Sequence, residues 1–381
     1  MMQTSPLSDR TYGLAGLLTA PVGYLILLFL PVYLEVMAAS MQLTEQQVGQ
    51  LAATDSVGIV LATLLFAHFV QRLNFRHVAA AGISISVLAN LACGFVSDFN
   101  LLCLLRVLCG LGEGLLVAVG ISALGMTSSP NRWFGYYTAA VVAVQALGLL
   151  AVTPVYEAGG LQLMFLFIAG FYLLPLLVLR RLPTGSQSYQ SISSETVAPS
   201  SASGKLFAAA LLGLLCFYMG IGAVWSYISF LATDQGLELN SVSQSLALSM
   251  LAGLFGALFF AWLDQRGKST TLLLASFAIM SACLIAVLNQ LTDLKYLLLL
   301  SIFSFFWSVV GARTFAIISD ADQSGKYISM AQATVGIGYI LGPMLAAQLI
   351  ADFKYTGVNI LGIVAFACCI GLMWPLARKT L

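Results

Sequence analysis

Long apolar stretches alternate with short polar turns along the whole chain. About 20 residues at 1.5 Å per residue span the bilayer hydrocarbon, so each stretch is long enough to cross it as a helix. We predict twelve spans, at 13–37, 47–70, 77–96, 100–124, 134–155, 161–181, 206–232, 242–263, 270–289, 294–318, 327–350 and 356–377. One long polar segment, 183–205, is serine-rich and carries two prolines, which is typical of a flexible cytoplasmic linker. It separates an N-terminal six-helix bundle, 1–182, from a C-terminal one, 206–381.

Composition places the chain among helical membrane proteins. Of its 381 residues, 60% are hydrophobic and only 8% are charged, which a soluble domain of this length cannot match. The net charge is +1 without a basic cluster, so we expect membrane lipid around the protein and no nucleic acid. The seven cysteines lie in apolar spans and form no metal-binding pattern with the two histidines. We therefore expect no metal, no cofactor, no catalytic residues and no enzymatic activity.

The basic residues predict the orientation. With a cytoplasmic N-terminus, twelve Lys and Arg fall in inner loops and tails, two in outer loops and two within spans, which makes up the total of 16. Positive residues favour the cytoplasmic side. The sequence thus predicts a multi-pass protein of the inner or plasma membrane with both termini cytoplasmic.

The two halves also match each other at a constant displacement of 194 residues. Chance matches are common among apolar residues, so the aromatic, basic and glycine matches carry the argument. The matched pairs are Tyr24 with Tyr218, Tyr33 with Tyr227, Arg72 with Arg266, Arg132 with Lys326, and Gly148 with Gly342. They predict an internal repeat of six spans in the same orientation. The predicted fold is all-α, with twelve transmembrane helices in two six-helix bundles related by pseudo-two-fold symmetry.

The fourth span contains two ionisable residues at membrane depth, in the stretch RVLCGLGEG. Arg106 and Glu113 are seven residues apart, which places them on one helix face about 10 Å apart along the axis. A bare charge in lipid costs on the order of 3 kcal/mol or more, so both side chains must face protein or water. We interpret both as functional candidates; for Arg106 the alternative is a structural bond to neighbouring helices.

These features resemble the major facilitator superfamily. The resemblance covers the whole architecture, with six plus six spans, a polar central loop and cytoplasmic termini. The fourth span carries the family's Arg-x-x-x-Gly-x-Gly motif, which is associated there with proton coupling, at Arg106, Gly110, Gly112 and Gly114. The added acid, Glu113, is similar to organic-anion and lysolipid branches. A glycine- and proline-rich fifth span is missing, which disfavours drug–proton antiport.

A cytoplasmic loop motif supports the same resemblance. The loops AHFVQRLNFRH and AWLDQRGKS are similar to the family's Gly-x-x-x-Asp-Arg-x-Gly-Arg-Lys motif. The resemblance implies a cytoplasmic gate motif at Arg72, Asp264, Gly267 and Lys268. The first half departs from the pattern at Gln71 and Asn74. The resemblance therefore does not imply, in that half, the charged contact that the family's motif makes between this loop and a helix.

The family binds its solute near the midplane on inner helices, which directs attention to residues at half-depth. Tyr24 and Tyr218 occupy matching positions and can stack on a solute, although helix packing is the alternative role. Glu113 corresponds at the repeat offset to Trp307, and an acid facing an indole suits an amphipathic or partly cationic solute. Gln145 is a further candidate that could equally bond a neighbouring helix.

Arg313 in the tenth span is the second deep arginine. It could anchor a carboxylate or phosphate through two parallel hydrogen bonds. The alternative is an ion pair with Asp320 or Asp322 at the cytoplasmic gate.

Three residues form the predicted proton-coupling set. The depths of Asp55 and Arg106 match, which predicts an ion pair between them. Apolar surroundings favour the neutral form of a carboxyl, whereas a nearby arginine favours its charged form. A rocking motion that exchanges these environments would couple proton movement to transport, with Glu113 as the proton carrier.

The leading hypothesis is a monomeric secondary active transporter that moves a small organic solute by alternating access as a proton-coupled symporter. Proton-driven efflux of amphipathic or cationic compounds and passive facilitation are the alternatives within transport. Outside transport, the alternative is a lipid-handling membrane protein or a sensor.

Overall fold

The computed structural model describes residues 6–127, 129–184, 204–264, 270–321 and 326–377. Within these ranges the chain is helical and contains no strand. The helices are α1 Pro6–Thr19, α2 Leu25–Leu28, α3 Leu30–Met41, α4 Glu45–Phe69, α5 Phe75–Cys93, α6 Phe99–Gly125, α7 Pro130–Phe171, α8 Gly204–Asp234, α9 Leu239–Asp264, α10 Thr270–Ala286, α11 Asp293–Ala321 and α12 Lys326–Ala377. Three 3₁₀ segments are Pro21–Tyr24, Val70–Arg72 and Leu174–Arg181.

The helices of the described chain account for the twelve predicted crossings. Nine stretches are long and apolar enough to span a membrane, and two of them, Arg132–Arg181 and Ala333–Ala377, are 50 and 45 residues long. Each long stretch breaks once, at Gly159–Gly160 and at Lys354, where the backbone leaves the helical conformation. The nine stretches, the two divisions and the shorter apolar α10 give twelve, while α3 continues the first crossing.

The first predicted span, 13–37, is not one continuous helix. It consists of α1, a 3₁₀ segment, α2 and α3. Pro21 and Pro31 explain the interruptions, because proline has no N–H to donate to the preceding turn. The side-chain amide of Gln145 donates to the Leu28 carbonyl at the end of α2, over 2.9 Å, and so satisfies an acceptor at the break.

Side chains cap the helices that follow. Thr44 and Gln47 form a reciprocal pair at the start of α4, since the Gln47 side chain accepts the Thr44 N–H at 2.9 Å and the Thr44 hydroxyl accepts the Gln47 N–H at 3.3 Å. Asn74 and Asp98 each accept a main-chain N–H at the starts of α5 and α6, at 3.0 and 2.8 Å. These caps fix where the second, third and fourth crossings begin.

The described residues divide into two compact units. One takes in the described parts of Met1–Phe29 and Thr54–Thr196, and the other those of Leu30–Ala53 and Val197–Leu381. The predicted linker, 183–205, lies outside the described residues except for its first and last two positions. The division of the chain at that linker stays a prediction.

The repeat in the sequence has a counterpart in the structure. In the first unit Gly148 packs against Phe29, and a Cβ at that glycine would lie 2.1 Å from the ring. In the second unit Gly342 packs against Ala223, and a Cβ there would lie 2.7 Å from the Ala223 nitrogen. Because 148 + 194 = 342 and 29 + 194 = 223, the same pair of positions is in contact in both units. Glycine is needed at both places for the close approach of two helices.

A carboxylate also joins two helices of the second unit. Glu35 of α3 accepts hydrogen bonds from the hydroxyls of Ser229 and Thr233 of α8, at 3.1 and 2.6 Å. Nearby, the Tyr227 hydroxyl donates to the Glu45 carbonyl at 3.0 Å. These bonds satisfy polar groups where α3 and the start of α4 contact α8.

Candidate functional site

Glycines of the fourth crossing bring three helices of the first unit close together. A Cβ at Gly110 of α6 would lie 2.2 Å from the Asp55 carbonyl oxygen of α4. A Cβ at Gly112 would lie 2.4 Å from the Ser86 hydroxyl of α5. Any side chain at these positions would push the neighbouring helix away. The glycines of the motif therefore position α4 and α5 so that their polar side chains reach α6.

Arg106 and Asp55 form a fully buried ion pair at this contact. The guanidinium binds the carboxylate through two nitrogens, with Nε 3.1 Å from Oδ2 and Nη2 on Oδ1. Its Nη1 donates to the Asn90 side-chain oxygen of α5 at 2.9 Å. This two-pronged geometry is the arrangement in which arginine holds a carboxylate most strongly. The structure thus brings together the two residues that the sequence predicts as a pair.

Polar contacts continue from Asn90 towards Glu113. The Asn90 amide donates to the Cys109 thiol sulfur at 2.7 Å and to the Ser86 carbonyl at 2.9 Å. The Cys109 sulfur lies 4.0 Å from Glu113 Oε1 and 3.9 Å from the hydroxyl of Tyr172, the residue that follows α7. The Tyr172 hydroxyl donates to Glu113 Oε1. A continuous set of polar contacts therefore joins the ion pair to Glu113; we call Asp55, Asn90, Arg106, Cys109, Glu113 and Tyr172 the polar cluster.

The second carboxyl oxygen of Glu113 sets the chemistry of the cluster. The residue is fully buried, and its Oε2 has no hydrogen-bond partner among the described residues. One oxygen each of Asp55 and Glu113 and the Cys109 sulfur lie within 4.8 Å of one another, a spacing that could hold a metal ion. The Arg106 guanidinium already binds the Asp55 carboxylate, however, and its positive charge repels a metal cation at this site. The arrangement is better suited to taking up a proton, and the absence of a metal stays a prediction.

The other candidates of the first unit lie beside this cluster. Tyr24 is half-buried and ends a 3₁₀ segment. Its neighbour Gly23 packs on the Glu113 main chain, since a Cβ at Gly23 would lie 2.5 Å from the Glu113 carbonyl oxygen. Gln145 uses its amide nitrogen on the Leu28 carbonyl, which is the helix-bonding role given above as its alternative.

Tyr218 and Arg313 lie in the second unit. Tyr218 of α8 is half-buried, and its ring centroid lies 5.7 Å from Tyr339 and 6.4 Å from Phe315. Arg313 of α11 is 2% exposed, whereas Asp320, one of its predicted partners, is exposed. Asp322, the other predicted partner, lies outside the described residues.

Trp307 belongs to an aromatic group in the second unit. It is half-buried on α11, with its ring centroid 5.7 Å from Trp225 and 6.4 Å from Phe303. An apolar cavity in this unit is lined by residues of α8, α10 and α11 that include Trp225, Leu284, Leu300 and Phe303. Glu113 and Trp307 lie in different units, so their proposed facing pair stays a prediction.

The predicted cytoplasmic gate motif is only partly described. Arg72 is exposed at the end of a 3₁₀ segment, and Asp264 is the last residue of α9. Gly267 and Lys268 lie outside the described residues. In the first half a different arginine makes a contact between helix ends, because Arg76 Nε donates to the Leu182 carbonyl at 2.8 Å.

The sequence as a whole decides the family. A family model described as the Major Facilitator Superfamily matches residues 13–322, well over half of the chain. The chain belongs to the major facilitator superfamily. Membership makes it a multi-pass membrane transporter of small solutes and not an enzyme. It also agrees with the all-α fold of twelve crossings described above.

Solved structures of other major facilitator proteins share the fold. A bacterial homolog of the human lysosomal transporter Spinster, inward-facing and unoccupied, has a TM-score of 0.76 at 14% identity and covers 99% of this chain and 98% of its own. A D-xylose–proton symporter has a TM-score of 0.75 at 15% identity, with 99% of both chains covered. The nucleoside transporter NupG, in a point-mutant form, has a TM-score of 0.74 at 11% identity, covering 97% and 99%. At these identities the likeness concerns the fold alone.

A curated relative matches a shorter part of this major facilitator protein. The probable sphingolipid transporter spinster homolog 1 of Arabidopsis thaliana is 27% identical over 109 residues. The match covers 28% of this chain and about a fifth (22%) of the relative's length.

Four residues of the described contacts were missed by the sequence reasoning. Asn90 and Cys109 bridge the ion pair and the acid, Tyr172 binds the acid, and Arg76 joins two helix ends. One signal was available for Asn90, because Ser86 and Asn90 are four residues apart in an apolar span and so share a helix face. Tyr172 lies midway along the predicted span 161–181, so its hydroxyl was a signal of the same kind as those of Tyr24 and Tyr218.

Proposed function

We propose that this protein is a proton-coupled secondary transporter that moves a small organic solute by alternating access, with symport as the leading mode. The polar cluster is the single observation that carries the proposal. Six polar or ionisable side chains at one place within membrane-spanning helices are costly to bury, and such groups in transporters commonly mark ion or solute pathways.

Glu113 is the proposed proton carrier. Its partnerless Oε2 can accept a proton, while Oε1 is held by Tyr172. Arg106 acts as the modulator, because a change in its distance from Glu113 would change how strongly the acid holds its proton. Asp55 competes with Glu113 for that arginine and holds it in the present geometry.

The coupling then follows from a change of environment. If the solute-bound and solute-free states place Arg106 differently, they differ in proton affinity, and proton binding and solute binding become linked. A buried ion pair with a third partner, Asn90, is a suitable element for such a change, because the bond to Asn90 would hold Arg106 while it exchanged one carboxylate for the other. The D-xylose–proton symporter among the solved structures has this fold and, by its name, couples transport to protons.

An amphipathic solute is the favoured class. The aromatic side chains of Tyr218 and Trp307 suit an apolar part of a solute, and Arg313 suits an anionic head group. The relative described as a probable sphingolipid transporter fits this class as well. Tyr24, Tyr218 and Trp307 are the aromatic groups proposed to contact the solute. Efflux of amphipathic or cationic compounds is the second candidate, and Trp307 beside Trp225 is the observation that favours it.

We further propose that the protein is a monomer in an inner or plasma membrane with both termini cytoplasmic. The twelve-to-two distribution of basic residues between inner and outer loops supports this orientation. A cysteine-labelling scan with a membrane-impermeant reagent in intact cells tests it at Lys295→Cys, near the start of α11, and at Lys205→Cys, near the start of α8. Labelling at Lys295 and none at Lys205 is the expected result, and the reverse would overturn the orientation.

A ligand screen tests the solute class. Detergent-purified wild type, Glu113→Gln and Arg313→Ala are melted with anionic, cationic, zwitterionic and neutral metabolites at about pH 5.5 and about pH 7.5, where a ligand at about 100 times its Kd adds about 2.7 kcal/mol. Anions that stabilise wild type but not Arg313→Ala support an anionic or amphipathic anionic solute. Cations that stabilise wild type but not Glu113→Gln would instead support the efflux candidate.

A further inference from the structure

We infer that Tyr172 is a positioning residue of the proton site, and that its hydroxyl holds Glu113 in place and favours the charged form of its carboxylate. The inference rests on the proposed role of Glu113 as the proton carrier. Tyr172 follows α7, whereas the Arg-x-x-x-Gly-x-Gly motif lies on α6, and the motif does not specify a tyrosine at this place.

The hydroxyl, rather than the ring, is the functional part of Tyr172. The position equivalent to 172 in the second half is Phe366, since 172 + 194 = 366. Phe366 is buried and packs against Phe303, which occupies the position of Cys109, just as the Tyr172 hydroxyl lies 3.9 Å from the Cys109 sulfur. An aromatic ring therefore fills this place in both halves, and the hydroxyl occurs only in the half that carries a buried acid.

The surroundings of Glu113 leave Tyr172 as its closest hydrogen-bond donor. From α6 itself the neighbours are Arg106 and Cys109, whose sulfur is 4.0 Å away. The titratable group of α4 is Asp55, which is already paired with Arg106. From α5 the cluster receives the neutral Asn90 and, near Arg106, the buried thiol of Cys93. From the first span it is Gly23 that packs on Glu113, and it adds no titratable group.

The direction of the effect follows from the donor. A phenol hydroxyl that donates to a carboxylate oxygen stabilises the charged carboxylate more than the neutral acid. Removing only that hydroxyl leaves the ring packing and makes Glu113 hold its proton more tightly. In Tyr172→Phe we therefore expect the pH at which Glu113 is half-protonated to rise by about one unit.

Infrared difference spectroscopy of the purified, full-length protein in lipid measures this without a known solute, because the proton is the ligand. The C=O stretching band of a protonated carboxyl is followed against pH in wild type, Glu113→Gln, Tyr172→Phe and Tyr296→Phe. Tyr296 is the matched control, since it is an equally buried tyrosine in the second unit whose hydroxyl donates to the Ile228 carbonyl at 3.1 Å. We expect the band to vanish in Glu113→Gln, to titrate at higher pH in Tyr172→Phe and to be unchanged in Tyr296→Phe.

The outcomes separate the two proposals. A band that survives in Glu113→Gln overturns the proton-carrier role itself. A band that vanishes in Glu113→Gln but keeps its midpoint and frequency in Tyr172→Phe overturns only the role of Tyr172. Should Tyr172→Phe fail to fold, isotope-labelled tyrosine in wild type provides the second measurement. A tyrosine C–O band that shifts as the acid titrates, and that is static in Glu113→Gln, supports the contact; a static band in wild type contradicts it.

Discussion

The contact between α4 and α6 in the first unit and the contact between α9 and α11 in the second occupy equivalent positions in the repeat. The side chains at the two contacts differ in charge. Gly110 faces Asp55 in the first contact, and the equivalent residues Ser304 and Ser249 share a hydrogen bond of 3.4 Å in the second. Where the first unit has Arg106, the second has Leu300, because 106 + 194 = 300. The same pair of helices therefore packs with charges in one half and without them in the other.

The replacement extends over the whole polar cluster. The equivalents of its other members Asn90, Cys109, Glu113 and Tyr172 are Leu284, Phe303, Trp307 and Phe366. Leu284, Leu300 and Phe303 line the apolar cavity of the second unit. The second half shows that the contact equivalent to that between α4 and α6 packs without a buried ion pair. The ionisable groups of the first half, which cost free energy to bury in a membrane, are thus better explained by function than by folding.

Removing one partner of the ion pair gives the largest expected effect. Arg106→Leu alone leaves Asp55 buried without its partner and should destabilise the protein by about 3–5 kcal/mol. The double variant Asp55→Ser/Arg106→Leu copies Ser249 and Leu300, and it should recover most of that loss, because apolar replacements of buried ion pairs are often neutral. Thermal unfolding in detergent measures both.

The control for this exchange is Leu300→Met, at the second-half position equivalent to Arg106. This change conserves side-chain volume, so it should lower the free energy of unfolding by less than about 1.5 kcal/mol. If the double variant is as unstable as Arg106→Leu, the charges are required for packing. The difference between the two halves would then no longer indicate that the buried charges serve a function.

A smaller effect is expected from the glycine that permits the close approach. Gly110→Ser copies Ser304, but its Cβ would lie 2.2 Å from the Asp55 carbonyl oxygen, so the helices must separate. We expect a loss of about 1–3 kcal/mol by overpacking, together with a weakened ion pair. The unfolding temperature measures it.

The reverse change, Ser304→Gly, serves as the control. It removes one hydroxyl hydrogen bond, that to Ser249, and should cost about 1 kcal/mol. A Gly110→Ser variant as stable as the wild type would mean that α4 and α6 do not require this close approach, contrary to the 2.2 Å distance.

Much of the fold could be predicted from the sequence, because apolar length and repeat spacing are local properties. The twelve crossings follow from apolar runs, and the matches of Gly148 with Gly342 and of Tyr24 with Tyr218 signal the repeat. The interruption of the first crossing was not predicted, although Pro21 and Pro31 were visible. Proline within an apolar span is compatible with either a kink or a full break, and the Gln145 bond to Leu28 distinguishes them only in three dimensions.

The candidate site was predictable only where charge made it conspicuous. Arg106, Glu113 and Asp55 stand out because ionisable residues are rare in apolar spans, and matching depth was enough to suggest their pair. Asn90, Cys109 and Tyr172 carry no formal charge, so they are less conspicuous, and only the spacing of Ser86 and Asn90 and the mid-span position of Tyr172 mark them. Their role depends on which face each helix turns to its neighbour, and close glycine contacts such as that of Gly112 with Ser86 determine that face.

The central claim is that the polar cluster links proton binding at Glu113 to solute binding. The most direct measurement is the Kd of the first stabilising ligand against pH, in wild type and in Glu113→Gln, whose fold should be nearly unchanged. We predict a wild-type Kd that varies by up to about tenfold per pH unit, as linkage to one proton allows, and a Kd that is constant in Glu113→Gln. A wild-type Kd that does not change with pH, or a pH dependence that persists in Glu113→Gln, would contradict the account.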